Sequence, residues 1–151
     1  MPAITVINHY PNFRLLTPAV NTALQYIASG EQQKVKNILL IATDDTTLNR
    51  LKKQYFGDDV LTDTISFNYN EPGLAIEGEI YLSIDRIREN AQKYGNNFKN
   101  ELMLVIIHSL LHLMGYDDVT AADQRRMAER QRKYLEKVQV KYLFRNLKQL
   151  R

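Results

Sequence analysis

Residues 98–118 read FKNELMLVIIHSLLHLMGYDD, and the fold can be worked out from this stretch. From Leu102 onward its apolar residues fall on almost every side of a helix, so the pattern predicts a helix that is buried all around. The helix should begin near Asn97. Gly115 follows the last apolar turn, and glycine readily adopts the left-handed conformation that ends a helix and turns the chain back. The sequence therefore predicts one buried helix closed by a sharp turn.

The segments on either side of this helix predict the elements that pack around it. Short β-branched or apolar runs indicate strands, and apolar stripes with capping residues and closing glycines indicate helices. The predicted strands span residues 4–7, 38–41, 62–69 and 78–83, and the predicted helices span 17–30, 44–57 and 84–95, with a long basic helix from Thr120 onward. Thr17 should cap the first helix and Gly30 should end it. The third and fourth strands should form a hairpin. The order predicts an α+β fold, with a small mixed β-sheet of about four strands packed against helices.

The composition is that of one ordinary globular domain covering residues 1–151. Hydrophobic residues make up 44% of the chain and charged residues 25%, which argues against wholesale disorder or a fibrous repeat. The chain has no cysteine, which excludes a disulfide-linked partner and thiolate zinc ligands. The first ten residues do not have the pattern of a signal peptide, and no apolar run approaches the ~20 residues of a membrane span. We expect a soluble cytoplasmic protein with no membrane partner.

Charge is distributed unevenly along the chain. Residues 122–151 contain ten Lys and Arg against three Asp and Glu, a net charge of +7, whereas residues 1–121 carry −4. An acidic body with a basic terminal segment favours a polyanionic partner that this segment contacts. The alternative is a helix face that is simply solvated, and charge alone does not decide between the two.

Two histidines on the buried helix predict a metal site. His108 and His112 are four residues apart, so they lie on one helix face, ~6 Å apart along the axis, and their imidazole nitrogens can converge on one ion. The turn at Gly115 can bring a carboxylate, from Asp117 or Asp118, to a third coordination position. Three protein ligands with a fourth position left for water are typical of catalytic zinc. Two buried histidines would otherwise need two separate hydrogen-bond partners. His9, the remaining histidine, is expected to be a surface residue.

The same spacing admits more than one metal-dependent reaction. Metzincin peptidases carry His-Glu-x2-His-x2-Gly-x2-His, in which the glutamate is the general base. Ser109 stands at the position of that glutamate and cannot hold a proton as a carboxylate does, which counts against peptide hydrolysis. Two histidines and one carboxylate also occur in non-haem iron oxygenases, although those usually take their ligands from a β-barrel.

The segment from His108 to Asp118 resembles the signature of the YbeY-type metal-dependent endoribonucleases, His-Gly-x-Leu-His-Leu-x-Gly-Tyr-Asp-His. Besides the two histidines, the matching residues are Leu111, Leu113, Gly115, Tyr116 and Asp117. Residues 62–67 (TDTISF) are similar to the family's Thr-Asp-x-x-Ser-Phe strand, and residues 78–83 (GEIYLS) are similar to its Gly-Asp-Ile-x-Ile-Ser strand. The resemblance covers residues 38–127, most of the chain.

Four positions depart from the family pattern. Ser109 replaces a glycine, Glu79 replaces an aspartate, and Asp118 stands where most members have a third histidine. Phe56 stands where the family commonly has an arginine that is thought to serve RNA cleavage. The resemblance therefore implies one zinc ion per chain held by His108, His112 and Asp118, and it supports metal binding better than nuclease activity. No catalytic residue beyond these ligands is predicted.

The resemblance implies a metal-dependent endoribonuclease specific for single-stranded RNA, acting in ribosomal RNA maturation and ribosome quality control. The expected partners are single-stranded or ribosomal RNA and the small ribosomal subunit. Two alternatives stay open: a zincin-type metallopeptidase, against which Ser109 counts, and a non-catalytic ribosome-assembly factor that keeps the metal for structure, which Phe56 favours.

Overall fold

A computed structural model describes residues 3–71 and 73–147 of the chain. Within these residues the chain forms six strands and five helices. In chain order they are β1 (Ile4–Asn8), β2 (Phe13–Leu15), α1 (Thr17–Gly30), β3 (Val35–Thr43), α2 (Asp45–Phe56), β4 (Thr64–Asn68), β5 (Ile76–Ser83), α3 (Ile84–Lys93), α4 (Phe98–Leu113), α5 (Ala121–Lys137) and β6 (Phe144–Asn146). None of the helices in this part of the chain has the length and apolar character needed to cross a membrane.

The main sheet has four strands in the order β1-β3-β5-β4. The pairs β1–β3 and β3–β5 are parallel, and β4 pairs antiparallel with β5 at the edge. In the central strand β3 the run from Ile38 to Ala42 is apolar. Ile38, Leu40 and Ala42 on one face are fully buried and Ile41 on the other face is 6% exposed, as expected of a strand covered on both faces. The predicted α+β fold with a mixed sheet of about four strands is confirmed, as is the hairpin of β4 and β5.

The helix α4 lies in the centre of the molecule, as its sequence predicts. The Asn97 side chain caps its first turn by accepting a hydrogen bond from the backbone N–H of Asn100 (2.8 Å). Leu102, Ile106 and Leu110 have no exposed surface. The helix contacts α1, α3, α5 and both strands of the hairpin. Burial on all these sides fixes the position of the two histidines that it carries.

The predicted bounds of α1, residues 17–30, are confirmed, but neither end forms in the way that the sequence predicts. Leu16 occupies the N-cap position, and no side chain caps the first turn. Gly30 lies in the last turn with helical geometry and does not end the helix by adopting a positive φ. A Cβ at Gly30 would overlap the hydroxyl of the buried Tyr134 on α5. Glycine is required here because α5 packs directly against the end of α1.

The C-terminal segment also differs from its prediction. The helix α5 ends at Lys137, and the chain then turns to form β6, which pairs antiparallel with β2 in a second small sheet. The spacing of Met127, Tyr134, Leu135, Val138 and Tyr142 predicts an apolar stripe by which one long helix docks. Met127 and Tyr134 are buried on α5, but Tyr142 lies beyond the helix and is exposed. Lys148 and Arg151, the last two basic residues of the segment, lie outside the described residues. The strands β2 and β6 have three residues each, too few for alternation to reveal them.

A partly buried carboxylate ties α1 to α5 and to the turn after α4. Glu31 accepts hydrogen bonds from the hydroxyls of Tyr116 and Tyr134, and the Arg130 guanidinium lies 3.7 Å from it. Burial alone would raise the pKa of Glu31, but these hydrogen bonds and the arginine hold that pKa below its usual range. The carboxylate therefore stays ionised, and it fixes α5 beside the end of α4.

Candidate metal centre

The structure brings together the three side chains that the sequence singles out as metal ligands. His108 Nε2 lies 3.7 Å from one Asp118 carboxylate oxygen, and His112 Nε2 lies 3.8 Å from the other. Ligand atoms from all three residues lie within 4.8 Å of one another. Two ligands at ~2.1 Å from a tetrahedral ion stand ~3.4 Å apart, so small side-chain adjustments close this set around one ion. Two imidazole nitrogens and one carboxylate oxygen suit zinc.

The turn after α4 places Asp118 in the site. Gly115 has φ of +102°, its N–H donates to the His112 carbonyl (3.1 Å), and the Tyr116 N–H donates to the Leu111 carbonyl (3.1 Å). This pair of hydrogen bonds is a Schellman motif, which reverses the chain at a helix end. The sequence alone does not decide whether Asp117 or Asp118 takes the third coordination position. In the structure it is Asp118 that lies beside the two histidines. Asp117 instead accepts a hydrogen bond from the Asp118 backbone N–H (2.8 Å) and lines a separate cavity.

Gln131 on α5 orients the first histidine. Its side-chain oxygen lies 2.5 Å from His108 Nδ1. A carbonyl oxygen can only accept, so Nδ1 carries the proton and Nε2 presents its lone pair to the metal position. The role of Gln131 cannot be predicted from the sequence, because nothing there shows which face of α5 meets α4.

Removing the Gln131 contact should weaken metal binding without destroying the site. We expect Gln131→Met to lower zinc affinity roughly 10- to 100-fold, because the His108 ring loses the acceptor that fixes its tautomer. Competition with a colorimetric zinc chelator measures the affinity. Gln92→Met on α3 is the matched control, because Gln92 is exposed and lines a cavity that contains none of the candidate ligands. Equal affinities for wild type and Gln131→Met would contradict the assigned role.

The candidate ligands line a cleft of about 360 Å³, within the usual size range of small-ligand sites. One wall is the β4 strand and the residues before it, and the opposite wall is α4. Because β4 is an edge strand, one side of its backbone is free of sheet pairing. The Ser83 N–H donates to the Asp63 carbonyl and the Tyr69 N–H donates to the Glu77 carbonyl, so the backbone groups of Thr64 and Ser66 point away from the sheet.

Charged side chains of both signs lie at the cleft. Lys52 and Phe56, from the end of α2, line it, and the Lys52 ammonium lies 4.7 Å from the centre of the Phe56 ring. Asp63 lines it from the segment before β4. Burial raises the pKa of Asp63, and attraction to His108 opposes part of this effect. Lys53, the neighbour of Lys52, instead pairs with Asp59 at 3.4 Å.

The remaining positions of interest lie away from the metal position. Ser109 is fully buried, donates to the Val105 carbonyl (2.8 Å) and hydrogen-bonds with the Thr64 hydroxyl (2.7 Å), so it joins α4 to β4. Glu79 accepts a hydrogen bond from the Tyr81 hydroxyl (2.9 Å). His9 is exposed, as predicted.

Both the sequence and the fold of this chain are similar to those of known proteins. The profile of the family Endoribonuclease YbeY matches residues 9–139. The chain is 39% identical over 116 residues to Endoribonuclease YbeY of Chloroherpeton thalassium and 41% identical over 116 residues to that of Chlorobaculum parvum. Both alignments cover 77% of this chain and 82% of the relative. The solution structure of TM1509 from Thermotoga maritima superposes with a TM-score of 0.65 at 29% identity, over 89% of this chain and 88% of that one. The matched residues extend well beyond the three motifs at residues 62–67, 78–83 and 108–118, toward both ends of the chain. The chain belongs to the Endoribonuclease YbeY family.

Proposed function

We propose that this protein is a zinc-dependent endoribonuclease that cuts single-stranded RNA. The observation that carries the proposal is the convergence of His108, His112 and Asp118 in an open cleft. The cleft borders an edge strand and is lined by the partly exposed Lys52, so an extended polymer can reach it. Family membership supports RNA as the substrate, because the relatives named above are endoribonucleases.

The proposed mechanism assigns separate tasks to the side chains of the cleft. A zinc ion held by His108, His112 and Asp118 would supply a Lewis acid for the scissile phosphate and lower the pKa of an attacking water. Gln131 keeps the first of these ligands in the tautomer that binds. Lys52, one helical turn before Phe56, would bring a positive charge to the phosphate in place of the family's arginine, but as a flexible point charge it makes no bidentate contact. We therefore expect slow cleavage.

The wider biological role follows from the same family membership. We propose ribosomal RNA and the small ribosomal subunit as partners, in ribosomal RNA maturation and quality control in the cytoplasm. On α5, Arg126 lines the cavity beside Asp117, and Arg130 is engaged by Glu31. The exposed basic residues of this helix are available for phosphates, with affinity that falls as salt rises. Their contact with RNA stays a prediction.

An activity assay with two polymers separates the candidate functions. We expect purified protein loaded with zinc to cut single-stranded RNA, to spare double-stranded RNA and casein, and to stop when a chelator is added. The free edge of β4 also suits an extended peptide, which is why casein is included. Cleavage of casein would favour the peptidase. Zinc binding with no cleavage of either polymer would favour the non-catalytic assembly factor. RNA cleavage that persists after full metal removal would reject the mechanism.

A further inference from the structure

We infer that an aromatic surface beside the cleft stacks against a nucleobase of single-stranded RNA, an inference that rests on the proposed function. This surface, the aromatic platform, consists of Tyr55, Phe56, Phe67 and Tyr81. Tyr55 and Phe56 are 59% and 49% exposed. Phe56 belongs both to the platform and to the wall of the cleft. A strand with one phosphate at the metal position can therefore place an adjacent base on the platform.

The rings of the platform hold one another in fixed orientations. Phe67 lies at the centre of the platform. The Phe56 ring stacks on it, with 6.1 Å between ring centres and 19° between ring planes. The Tyr55 ring contacts it edge-on, with 5.2 Å between ring centres. Tyr81 supports Phe67 from a further side, at 6.0 Å and 86°. A preformed group of rings loses little conformational freedom when a base is added, which favours binding.

The exposure of Tyr55 and Phe56 is not explained by packing. On α2 only Leu48 is fully buried, although the apolar spacing of the helix places Tyr55 on the same stripe. Neighbouring exposed aromatic rings at the mouth of a cleft indicate a contact surface. Every base offers a flat π-face, so aromatic rings bind single strands without strict sequence preference.

The charges around the platform favour a base over a phosphate as its ligand. Burial, followed by the hydrogen bond to Glu79, raises the pKa of Tyr81 to about 12, so the phenol stays neutral. The Glu79 carboxylate would repel a phosphate. The Lys52 ammonium lies over the Phe56 ring in a cation–π contact that is partly exposed to solvent and therefore weak. The Lys52 side chain is flexible, so its ammonium can move to a phosphate. A base can then occupy the face of the Phe56 ring that the ammonium leaves.

Binding of a short single-stranded RNA tests the inference independently of cleavage. The probe is an eight-nucleotide RNA with one 2-aminopurine, whose emission falls when it stacks on a ring, and chelator is present so that the RNA stays intact. We expect Phe56→Ala to lower affinity roughly tenfold or more, with the salt dependence unchanged. Lys52→Gln should instead reduce the slope of log K against log salt by about 0.7, as for one lost phosphate contact. Phe56→Trp should restore binding and Phe56→Leu should not, because leucine keeps the apolar bulk without the π-face.

Tyr94→Ala is the matched control. Tyr94 is 66% exposed and also lies beneath a lysine, Lys93, but it is remote from the cleft lining. RNA that binds and is cut equally well by wild type and Phe56→Ala would overturn the platform and leave the proposed function standing. Wild-type protein that neither binds nor cuts RNA would overturn both. A shift in sedimentation from dimer to monomer in Phe56→Ala, with RNA binding unchanged, would assign the surface to a second copy of the chain and overturn the inference.

Discussion

A protein carrying His112→Ala is expected to retain no zinc after dialysis and to leave single-stranded RNA uncut. The substitution removes one of two nitrogen ligands, and the two ligands that remain are fewer than the three of a catalytic zinc site. We expect zinc affinity to fall by at least ~100-fold, because loss of a contact that only orients a ligand already costs 10- to 100-fold. Zinc per chain by elemental analysis, together with the RNA assay, measures the effect. The side chain is 37% exposed, so the melting temperature of the metal-free protein should stay close to that of metal-free wild type.

Two neighbouring carboxylates supply an internal comparison for the same site. Asp118→Ala should lose the ion much as His112→Ala does, and Asp117→Ala should keep it. Both side chains are exposed and differ by one position, so a general effect on the turn would change both variants alike. Retention of zinc by Asp118→Ala together with its loss by Asp117→Ala would reverse the assignment of the third ligand.

The second large effect is expected at Gly78 on β5. An alanine Cβ there would overlap the backbone carbonyl oxygen of Phe67 and lie 3.1 Å from Leu113 Cδ2. Backbone cannot rotate out of the way as a side chain can, so β4 would have to separate from β5. We expect Gly78→Ala to lower the free energy of unfolding by ~3 kcal/mol or more, as for other overpacked cores. Urea denaturation followed by circular dichroism measures it.

Gly57→Ala provides the contrast for Gly78→Ala. At Gly57 the backbone has φ of +69° and nothing lies within 4 Å of the added Cβ, so the cost is conformational alone, ~1–2 kcal/mol. Leu113 is the last residue of α4, and its carbonyl accepts a hydrogen bond from Asn68 on β4. Displacement of β4 should therefore also disturb the metal ligands, and zinc affinity should fall in Gly78→Ala but not in Gly57→Ala. Equal stability of the two variants would contradict the close approach of β4 and β5.

The parts of the structure that the sequence predicts are those whose causes are local. The burial of α4, the cap at Asn97 and the reversal at Gly115 each depend on residues within a few positions of one another. The spacing of the two histidines is equally local, and the candidate site follows from it. Asp44 and Gly57 likewise mark both ends of α2, by a side-chain cap and a left-handed residue.

The features that escaped prediction depend on contacts between distant segments. Gly30 has the residue type of a helix end, but its role is to admit a tyrosine that lies 104 positions away. Gln131 acts on His108 only because α5 packs across α4. The Lys52 side chain lines the cleft while that of Lys53 pairs with Asp59, a difference that helical spacing alone does not reveal. Local sequence patterns do not reveal contacts between segments that are distant in the chain.

The three candidate ligands lie within eleven residues of one chain segment, and this has a consequence for the supply of metal. The helix α4, which carries the two histidines, is held by aliphatic packing on its other faces, so we expect the fold not to depend on an ion, unlike small zinc modules that unfold without one. The ligand side chains are also partly open, with exposed fractions of 25% for His108 and 46% for Asp118. An ion can therefore leave and be replaced without refolding. Exchange of this kind makes occupancy follow the free concentrations of the competing divalent ions, weighted by their intrinsic order of affinity. For the proposed zinc-dependent enzyme, we expect the active fraction to rise and fall with the concentration of free zinc.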